Sequence, residues 1–187
     1  MTPTQARLLV NIDGLFSERG GSEYHGESVT QLEHALQSAW LAEKDGQPPS
    51  LIAAALLHDL GHLLHRHGEV YLDQNLNDRH EDVAARFLAQ AYGPAVTEPV
   101  RLHVPAKRYL VATRPGYGGL LSPTSTKSLK LQGGPMRPEE VAAFEGEPHF
   151  AAAAALRQYD DRAKVVGLAT PPYAHFRKYL VGGQGMA

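Results

Sequence analysis

The sequence predicts an all-α protein, a single compact helical bundle with one long irregular loop. Apolar residues recur at helical spacing in segment after segment, and no stretch shows the sustained two-residue alternation of a half-buried strand. Breaks rich in glycine and proline separate these segments. The chain has 187 residues, of which 43% are hydrophobic and 20% are charged, a composition that can bury a core and is typical of one domain.

The helices are predicted in chain order from the apolar stripes and the breaks between them. The second helix carries a stripe that includes Leu32, Leu36 and Trp40, whereas the third is apolar on nearly every face and should be buried at the centre. The predicted helices cover residues 4–16, 28–44, 51–64, 78–92, 95–103, 106–113, 138–146, 148–166 and 173–180.

Capping and helix-breaking residues set most of these limits. The first helix ends at the turn 19–21, and prolines at 48 and 49 precede the third helix. Asp78 and Glu81 have the spacing of a capping box at the start of the fourth helix, which the Gly93-Pro94 pair ends. Pro138 begins another helix, and two further prolines at 171 and 172 interrupt the chain before the last one.

The long loop is predicted at about 114–138. This segment holds five glycines and four prolines, but it also contains Leu120, Leu121, Leu129 and Leu131. A loop of this length in a compact domain is usually functional or disordered. The leucines favour a lid folded over the domain.

Composition excludes several classes of protein. The chain has no cysteine, which rules out thiolate metal sites, iron–sulfur clusters, disulfide scaffolds and cysteine nucleophiles, yet it has ten histidines. A net charge of −2 gives no case for a partner that is nucleic acid or a membrane surface. Residues 1–19 lack the apolar core of a signal peptide, and no apolar run approaches the ~20 residues of a membrane span. We therefore expect a soluble cytoplasmic protein.

The near-neutral total hides an uneven distribution of charge. Residues 99–138 contain seven lysines and arginines and no acidic residue, which leaves −9 for the rest of the chain. A basic stretch of this kind is often a solvated face. The alternative is a docking surface for a small anion.

The strongest chemical feature is the pair His58-Asp59 in the middle of the most apolar helix. A carboxylate in an apolar wall is costly unless it is paired or binds a metal. A buried hydrogen bond between the two residues is the simpler alternative. Further donors lie on the apolar faces of other predicted helices, at His80, His103 and Asp160. His34 lies opposite the stripe of its helix, so amphipathicity alone would leave it exposed.

A structural role is the better explanation for any one of these histidines, but the set favours a metal site. Nitrogen and oxygen donors without sulfur suit iron, manganese or zinc. Six protein ligands are too many for one catalytic ion that keeps open positions, so we predict two ions bridged by Asp59. One ion would be bound by His34, His58 and Asp160, and the other by His80 and His103.

The order His34, His58-Asp59, Asp160 resembles the HD-domain superfamily, whose signature is His…His-Asp…Asp. With His80 and His103 inserted, the pattern resembles the dinuclear members of that superfamily. These are metal-dependent phosphohydrolases and the mixed-valent diiron oxygenases, which include myo-inositol oxygenase and the phosphonate-cleaving 2-amino-1-hydroxyethylphosphonate dioxygenase. The similarity to the phosphonate-cleaving oxygenases is the greater, and it extends over residues 24–164.

Several motifs support the greater similarity to the phosphonate-cleaving oxygenases. The first is Tyr24-His25-Gly26-Glu27, which precedes His34. The resemblance implies that Tyr24 occupies an iron until the substrate and Glu27 displace it. It also implies that His62, one turn after His58, lies beside the substrate. The remaining residues implied to hold the phosphonate are Lys107, Arg157, Ser125, Ser128 and Gln132, and Thr124 and Thr126 are near enough to replace the serines.

The resemblance implies an oxidoreductase with two iron ions, mixed-valent Fe(II)/Fe(III), and O2 as co-substrate. It would cleave the C–P bond of a small 1-hydroxy-2-(amino or trimethylammonio)ethylphosphonate and release phosphate with glycine or betaine. Two alternatives stay open: an HD-type phosphohydrolase acting on a phosphate ester, and a non-catalytic HD module that senses a metabolite. We expect one HD domain over 1–187, with its core at about 24–180 and a frayed tail at 181–187.

Overall fold

The computed structural model describes residues 1–64 and 79–181. Ten α-helices and one small hairpin are present in these ranges, so the all-α prediction is confirmed. The elements are α1 (Pro3–Arg19), β1 (Glu23–Tyr24), β2 (Glu27–Thr30), α2 (Gln31–Lys44), α3 (Pro49–Leu57), α4 (Leu60–Leu64), α5 (His80–Leu88), α6 (Pro94–Thr113), a 3₁₀ turn (Tyr117–Leu120), α7 (Pro123–Leu131), α8 (Pro138–Glu145), α9 (Phe150–Arg162) and α10 (Tyr173–Val181).

The hairpin is the first departure from the predicted order. Strands β1 and β2 pair in antiparallel register with Tyr24 opposite Glu27, and the two residues between them, His25 and Gly26, have φ values of 50° and 76°. Positive φ at both central residues is what a tight two-residue hairpin turn requires, and glycine adopts it freely. Two strands this short show no alternation, so hydrophobic periodicity could not predict them.

Helix α2 begins at Gln31, three residues later than predicted, because residues 27–30 belong to the hairpin. Thr30 and Glu33 form a capping box in which the Thr30 hydroxyl accepts a hydrogen bond from the Glu33 N–H, and the Glu33 carboxylate accepts one from the Thr30 N–H. This cap fixes the start of the helix. It therefore also fixes the direction of the His34 side chain, which follows Glu33 in the chain.

The predicted central helix 51–64 is two helices, α3 and α4, separated at His58 and Asp59. Both helices are buried as expected, and every residue from Leu51 to Gly61 is shielded from solvent. The interruption falls on the two polar residues of an otherwise apolar run. His58 and Asp59 therefore lie in a turn between two helices and not within one continuous helix.

Helix α6 is continuous over 20 residues and contains Pro99 and Pro105, whereas two short helices, 95–103 and 106–113, were predicted. A proline inside a helix costs roughly 3 kcal/mol, since it removes a hydrogen bond and crowds the preceding turn. Burial outweighs this cost, because one face of α6 is fully covered and carries Val96, Val100, Ala106 and Leu110. Tertiary packing thus joins two segments that local propensity separates.

The predicted long loop 114–138 is also wrong in part. It contains the 3₁₀ turn, which buries Tyr117, and the nine-residue helix α7, which buries Leu129. Ser122 caps α7, since its hydroxyl accepts a hydrogen bond from the Ser125 N–H. A serine cap followed by proline at the first helical position is a helix-start signal that the glycine and proline content of the segment obscured.

The fourth predicted helix, 78–92, is the shorter α5, which follows Arg79 at a φ of 50°. Asp78, and with it the predicted capping box, lies outside the described residues, as do residues 182–187 of the predicted tail. Within the described ranges, no helix is long and apolar enough to cross a membrane.

The main core is shared by α1–α6, α9 and α10. Helix α1 contributes Leu8, Leu9, Ile12 and Phe16 to it, ahead of the predicted core limit at residue 24. A second cluster joins α6, α8 and α9 through Leu102, Ala106, Phe144 and Ala153. Helices α2, α3, α6 and α9 therefore surround the His58-Asp59 turn and hold it in the interior.

Candidate metal centre

Four buried histidines surround Asp59 in two pairs, one pair for each carboxylate oxygen. Oδ2 lies 3.5 Å from His34 Nε2 and 3.3 Å from His58 Nε2. Oδ1 lies 3.4 Å from both His80 Nε2 and His103 Nε2. The structure thus brings together all four predicted histidines, including His34, which is 1% exposed despite the amphipathic argument.

The protonation of these rings is set by their other nitrogen atoms. The Nδ1 atoms of His34, His58 and His103 lie 2.8, 2.9 and 2.7 Å from the carbonyl oxygens of Ala163, Ala55 and Val100. A carbonyl oxygen can only accept, so each Nδ1 carries a proton, and Nε2 of the neutral ring presents a lone pair. Backbone acceptors of this kind orient histidines as metal ligands.

The Nε2 atoms of each histidine pair face one another. His34 Nε2 and His58 Nε2 are 3.1 Å apart, and His80 Nε2 and His103 Nε2 are 3.2 Å apart. Two lone pairs at this distance repel unless a cation or a proton lies between them. Each pair therefore offers a site for a cation beside one oxygen of Asp59.

Asp160 completes the first of these sites. Its Oδ1 is 3.5 Å from His34 Nε2, and its Oδ2 is 3.9 Å from His58 Nε2. Oδ1 of Asp59 and Oδ1 of Asp160 are both buried without a hydrogen-bond partner among the described residues. Orphaned carboxylate oxygens beside histidine lone pairs fit a metal centre with nitrogen and oxygen donors.

The pKa values of Asp59 and His34 favour their deprotonated forms, whereas for His58 the effect of burial is outweighed by the Asp59 and Asp160 carboxylates, which raise the pKa of its imidazole. Burial alone would raise the pKa of the Asp59 carboxyl, but the His58, His103 and His80 imidazoles beside it hold that pKa well below its usual range. Burial lowers the pKa of the His34 imidazole to about 4, against the opposing charge of Asp160. An ionised Asp59 and a neutral His34 are the states that a cation requires.

Arg157 holds Asp160 and its neighbour in place. The guanidinium is 3% exposed, and its Nη1 lies 2.7 Å from Asp160 Oδ2 while its Nε donates to Asp161 Oδ2 at 3.0 Å. Tyr117 of the 3₁₀ turn donates its hydroxyl to the same Asp161 oxygen at 2.7 Å. Asp161 is thus a salt-bridged support, and part of the segment 114–138 is anchored to it.

Tyr24 lies against the first site. Its hydroxyl donates to Asp59 Oδ2 at 2.6 Å, and its ring stacks on His34 with centroids 3.9 Å apart. The hairpin places Glu27 across from Tyr24, and Oε1 of Glu27 is buried without a hydrogen bond from the described part of the chain. A cleft of about 380 Å³ adjoins the hairpin and is lined in part by Glu23, Glu27 and Glu33.

His62 lies on the other side of Asp59. Its ring stacks on His80 with centroids 3.9 Å apart, and its Nε2 is 3.9 Å from Asp59 Oδ1. Gly61, which precedes His62, allows a close approach of two helices, because a Cβ at this position would lie 2.1 Å from the His80 carbonyl oxygen. Only glycine lets α5 approach α4 closely enough for His80 to reach Asp59, a requirement that the sequence alone did not reveal.

The predicted phosphonate residues lie in a region rich in buried cations. Lys107, 2% exposed, donates to Ser128 Oγ at 2.7 Å, and Ser125 lies one turn before Ser128 on α7. Gln132 ends α7, and its Oε1 is buried without a hydrogen-bond partner in ranges 1–64 and 79–181. Thr124 is used elsewhere, since its hydroxyl donates to the His25 carbonyl oxygen at 2.9 Å and ties α7 to the hairpin.

Lys164, whose side chain is 10% exposed, is a further cation of this region that was not among the predicted site residues. Its Nζ donates to Ser125 Oγ at 2.9 Å and lies 4.0 Å from Asp160 Oδ1. The signal available in the sequence was its position four residues after Asp160 in the predicted helix 148–166, because residues at that spacing on a helix share a face.

Lys107 should make the free energy of unfolding depend on pH. Burial, with the nearby Arg157 guanidinium, lowers the pKa of its ammonium from 10.5 to about 7. The unfolded chain therefore binds more protons than the folded protein between pH 7 and about pH 10. The cost of burying the charge is fully present below pH 7 and is relieved as pH rises through this window.

The measurement is urea unfolding of chelator-treated wild-type protein and Lys107→Met at several pH values. Between pH 7 and pH 10 the wild type should gain up to ~4 kcal/mol relative to the variant. Parallel pH profiles for the two proteins would contradict the prediction.

Residues 31–144 match the sequence model of a family described as HD domain. A 1-hydroxy-2-(trimethylamino)ethylphosphonate dioxygenase (glycine-betaine-forming) of Leisingera caerulea is 47% identical over 88% of this chain and 84% of its own. A hydroxymethylphosphonate dioxygenase of Gimesia maris is 49% identical over 91% of this chain and 85% of its own. By their names, both relatives act on small phosphonates with a hydroxyl group on the carbon bonded to phosphorus.

Proposed function

Because the chain belongs to the HD-domain family and shares nearly half of its residues with two phosphonate dioxygenases, we propose that it is a diiron oxygenase that cleaves the C–P bond of a small 1-hydroxyphosphonate. The resemblance inferred from the sequence is confirmed by that family match and by those relatives. The observation that carries the proposal is the pair of close contacts between histidine Nε2 atoms, at 3.1 and 3.2 Å, on opposite oxygens of Asp59.

Two iron ions, Fe(II) and Fe(III), are proposed to occupy the cluster. His34, His58 and Asp160 would hold one ion, His80 and His103 would hold the other, and Asp59 would bridge them. When bound, the ions would supply a Lewis acid for substrate oxygen atoms and the redox equivalents needed for reaction with O2. The donor set contains only nitrogen and oxygen, which suits iron in these oxidation states.

The protein side chains would bind and orient the substrate around this centre. Lys107 and the serines of α7 would hold the phosphonate through charge-assisted hydrogen bonds, with Gln132 beside them. Arg157 is proposed to add positive charge there, although three of its nitrogen atoms contact Asp160 and Asp161. Tyr24 would keep the centre covered through its bond to Asp59 until substrate arrives, and His62 would lie beside the reacting carbon.

The other end of the substrate is proposed to be cationic, an amine or a trimethylammonium group. Glu23, Glu27 and Glu33 share the cleft beside the hairpin, and carboxylates favour an ammonium there. Oxygenation would convert R–CH(OH)–phosphonate and one O2 into a carboxylic acid and phosphate, so that the products would be betaine or glycine. Each atom of O2 would enter one of the two products.

The test is phosphate release from 1-hydroxy-2-(trimethylammonio)ethylphosphonate by iron-loaded protein, in air and under anaerobic conditions. We expect release only with O2, and a kcat/KM at least about tenfold higher than for hydroxymethylphosphonate, which lacks the cation. Chelator-treated protein is the matched control. Release without O2 from a phosphate ester would instead support a phosphohydrolase, and no turnover of either compound would support a sensing module. Both results would contradict the proposal.

A further inference from the structure

Three hydrogen bonds join helix α2 to the short irregular segment 163–165, which follows α9. His34 Nδ1 donates to the Ala163 carbonyl oxygen at 2.8 Å. The Gln37 amide forms the other two bonds, both with the backbone of Val165. Its Nε2 donates to the Val165 carbonyl oxygen at 2.8 Å, and its Oε1 accepts from the Val165 N–H at 3.0 Å. His34 and Gln37 are three residues apart on α2 and share a face, which therefore binds this segment at two points.

Gln37 is a buried side chain whose polar atoms are both bound to one residue. It is 2% exposed. Only one orientation of its amide fits, because Oε1 must face the Val165 N–H and Nε2 must face the carbonyl oxygen. A side chain held at both atoms in this way fixes the backbone of Val165 relative to α2.

Side-chain packing restrains the segment 163–165 only weakly beyond its first residue. Helix α9 closes at Ala163, which is buried and whose N–H donates to the Asp160 carbonyl oxygen at 3.2 Å. The side chain of Val165 is 49% exposed. Lys164, between them, is bound to Ser125 through its Nζ, at the end of a long side chain that leaves its backbone free to shift. The two Gln37 bonds therefore hold a stretch of backbone that would otherwise fray as helix ends do.

The acceptor of the His34 proton differs from those of two other predicted ligands. The Nδ1 atoms of His58 and His103 bond to the carbonyl oxygens of Ala55 and Val100, each three residues earlier in the chain. The preceding helical turn therefore orients those two rings. The acceptor of His34 lies 129 residues away in sequence, so the orientation of this ring depends on how the segment 163–165 is held. Such acceptor bonds set the direction in which a histidine presents its other nitrogen atom to a metal.

We propose that Gln37 is a positioning residue for the first of the two ions, the one beside His34. By binding both backbone groups of Val165, it holds the Ala163 carbonyl oxygen where that oxygen orients the His34 ring. The inference rests on the proposed function for the presence of iron. Loss of Gln37 should weaken binding of the first ion and spare the second ion, beside His103, whose ring is oriented from within its own helix.

The experiment compares variants of Gln37 in their binding of Fe(II). Gln37→Met removes both hydrogen bonds at similar side-chain length, whereas Gln37→Glu keeps an acceptor for the Val165 N–H and loses the donor. Gln47→Met is the matched control, because it removes another glutamine hydrogen bond to α9, from Nε2 to the Tyr159 hydroxyl at 2.8 Å. An anaerobic titration of chelator-treated protein with Fe(II) gives the two affinities. The anomalous scattering of iron in crystals of partly loaded protein gives the occupancy of each site.

Gln37→Met should lower the affinity for the first ion by about tenfold, the lower end of the range for residues that support a metal ligand, and change that for the second by less than about threefold. Gln37→Glu should fall between Gln37→Met and the wild type. Gln47→Met should match the wild type at both sites. A residue that only stabilises the fold would instead lower both occupancies by the same factor.

A wild-type affinity for the first ion in Gln37→Met, or an equal loss at both sites, would overturn the proposal. If that variant does not fold, wild-type affinities for both ions in Gln37→Glu would overturn it equally. Weaker binding of the first ion in Gln37→Met, combined with a wild type that releases no phosphate in air, would sink the proposed function and leave the role of Gln37 standing. O2-dependent turnover by the wild type with unchanged iron affinities in Gln37→Met would do the reverse.

Discussion

Asp59→Asn should lose its metal and reduce phosphate release by more than about 100-fold. Loss of residues that only support a ligand already costs 10–100-fold in metal affinity or activity, so loss of the shared ligand should cost more. Asparagine keeps the size of the side chain and an oxygen that can accept the Tyr24 hydroxyl. It removes the negative charge and one of the two oxygen atoms that face the histidine pairs.

The measurement is iron content per chain by elemental analysis, followed by the aerobic assay. Asp45→Asn is the matched control, because that aspartate is 48% exposed and pairs with Arg162 at 3.9 Å. An Asp59→Asn protein that keeps two iron ions and activity within tenfold of wild type would show that Asp59 does not bridge them.

Arg157→Met should lower the free energy of unfolding by about 3–5 kcal/mol, the cost of breaking a buried ion pair by removing one partner. The side chains of Arg157, Asp160 and Asp161 are 4%, 3% and 8% exposed, so the variant would leave two carboxylates buried beside an uncharged chain. Tyr117 would still donate to Asp161, but it would bring no positive charge.

A matched comparison is available at the surface. Arg177 binds Asp13 through Nε at 3.2 Å and Nη2 at 2.9 Å, with the two side chains 42% and 33% exposed. Arg177→Met should cost about 1 kcal/mol or less, because water solvates the remaining carboxylate. Both variants are compared by urea unfolding in the presence of a chelator, so that lost metal binding cannot account for a difference. Equal losses would refute a structural role for Arg157.

The histidine–aspartate cluster was largely predictable from residue chemistry, because its members are unusual where they occur. A His-Asp pair in an apolar run, with no cysteine in the chain, already favours nitrogen and oxygen ligands. His80, His103 and Asp160 followed from the apolar faces of their helices. His34 did not, since the packing of α9 and the Ala163 carbonyl oxygen buries a face that periodicity within α2 leaves polar.

Contacts made across the fold were not predictable from local patterns. Lys164 is adjacent to Ser125 only because the end of α9 meets α7, a separation of 39 residues in sequence. The sequence around Gly61 does not indicate why a glycine is needed there, because the requirement comes from the His80 backbone that packs against it. The hairpin at Tyr24 is too short for any period to be read from it.

By itself, the sequence determined the all-α class, the nitrogen and oxygen chemistry of the centre and the residues that could supply it. These depend on composition and on helical spacing, which are local properties. Only the tertiary structure decided that the helix breaks at His58-Asp59, that α6 continues through Pro99 and Pro105, and that the segment 114–138 is partly helical. Helix α6 shows the physical reason most directly, because the burial of its side chains against distant elements outweighs a local preference of a few kcal/mol.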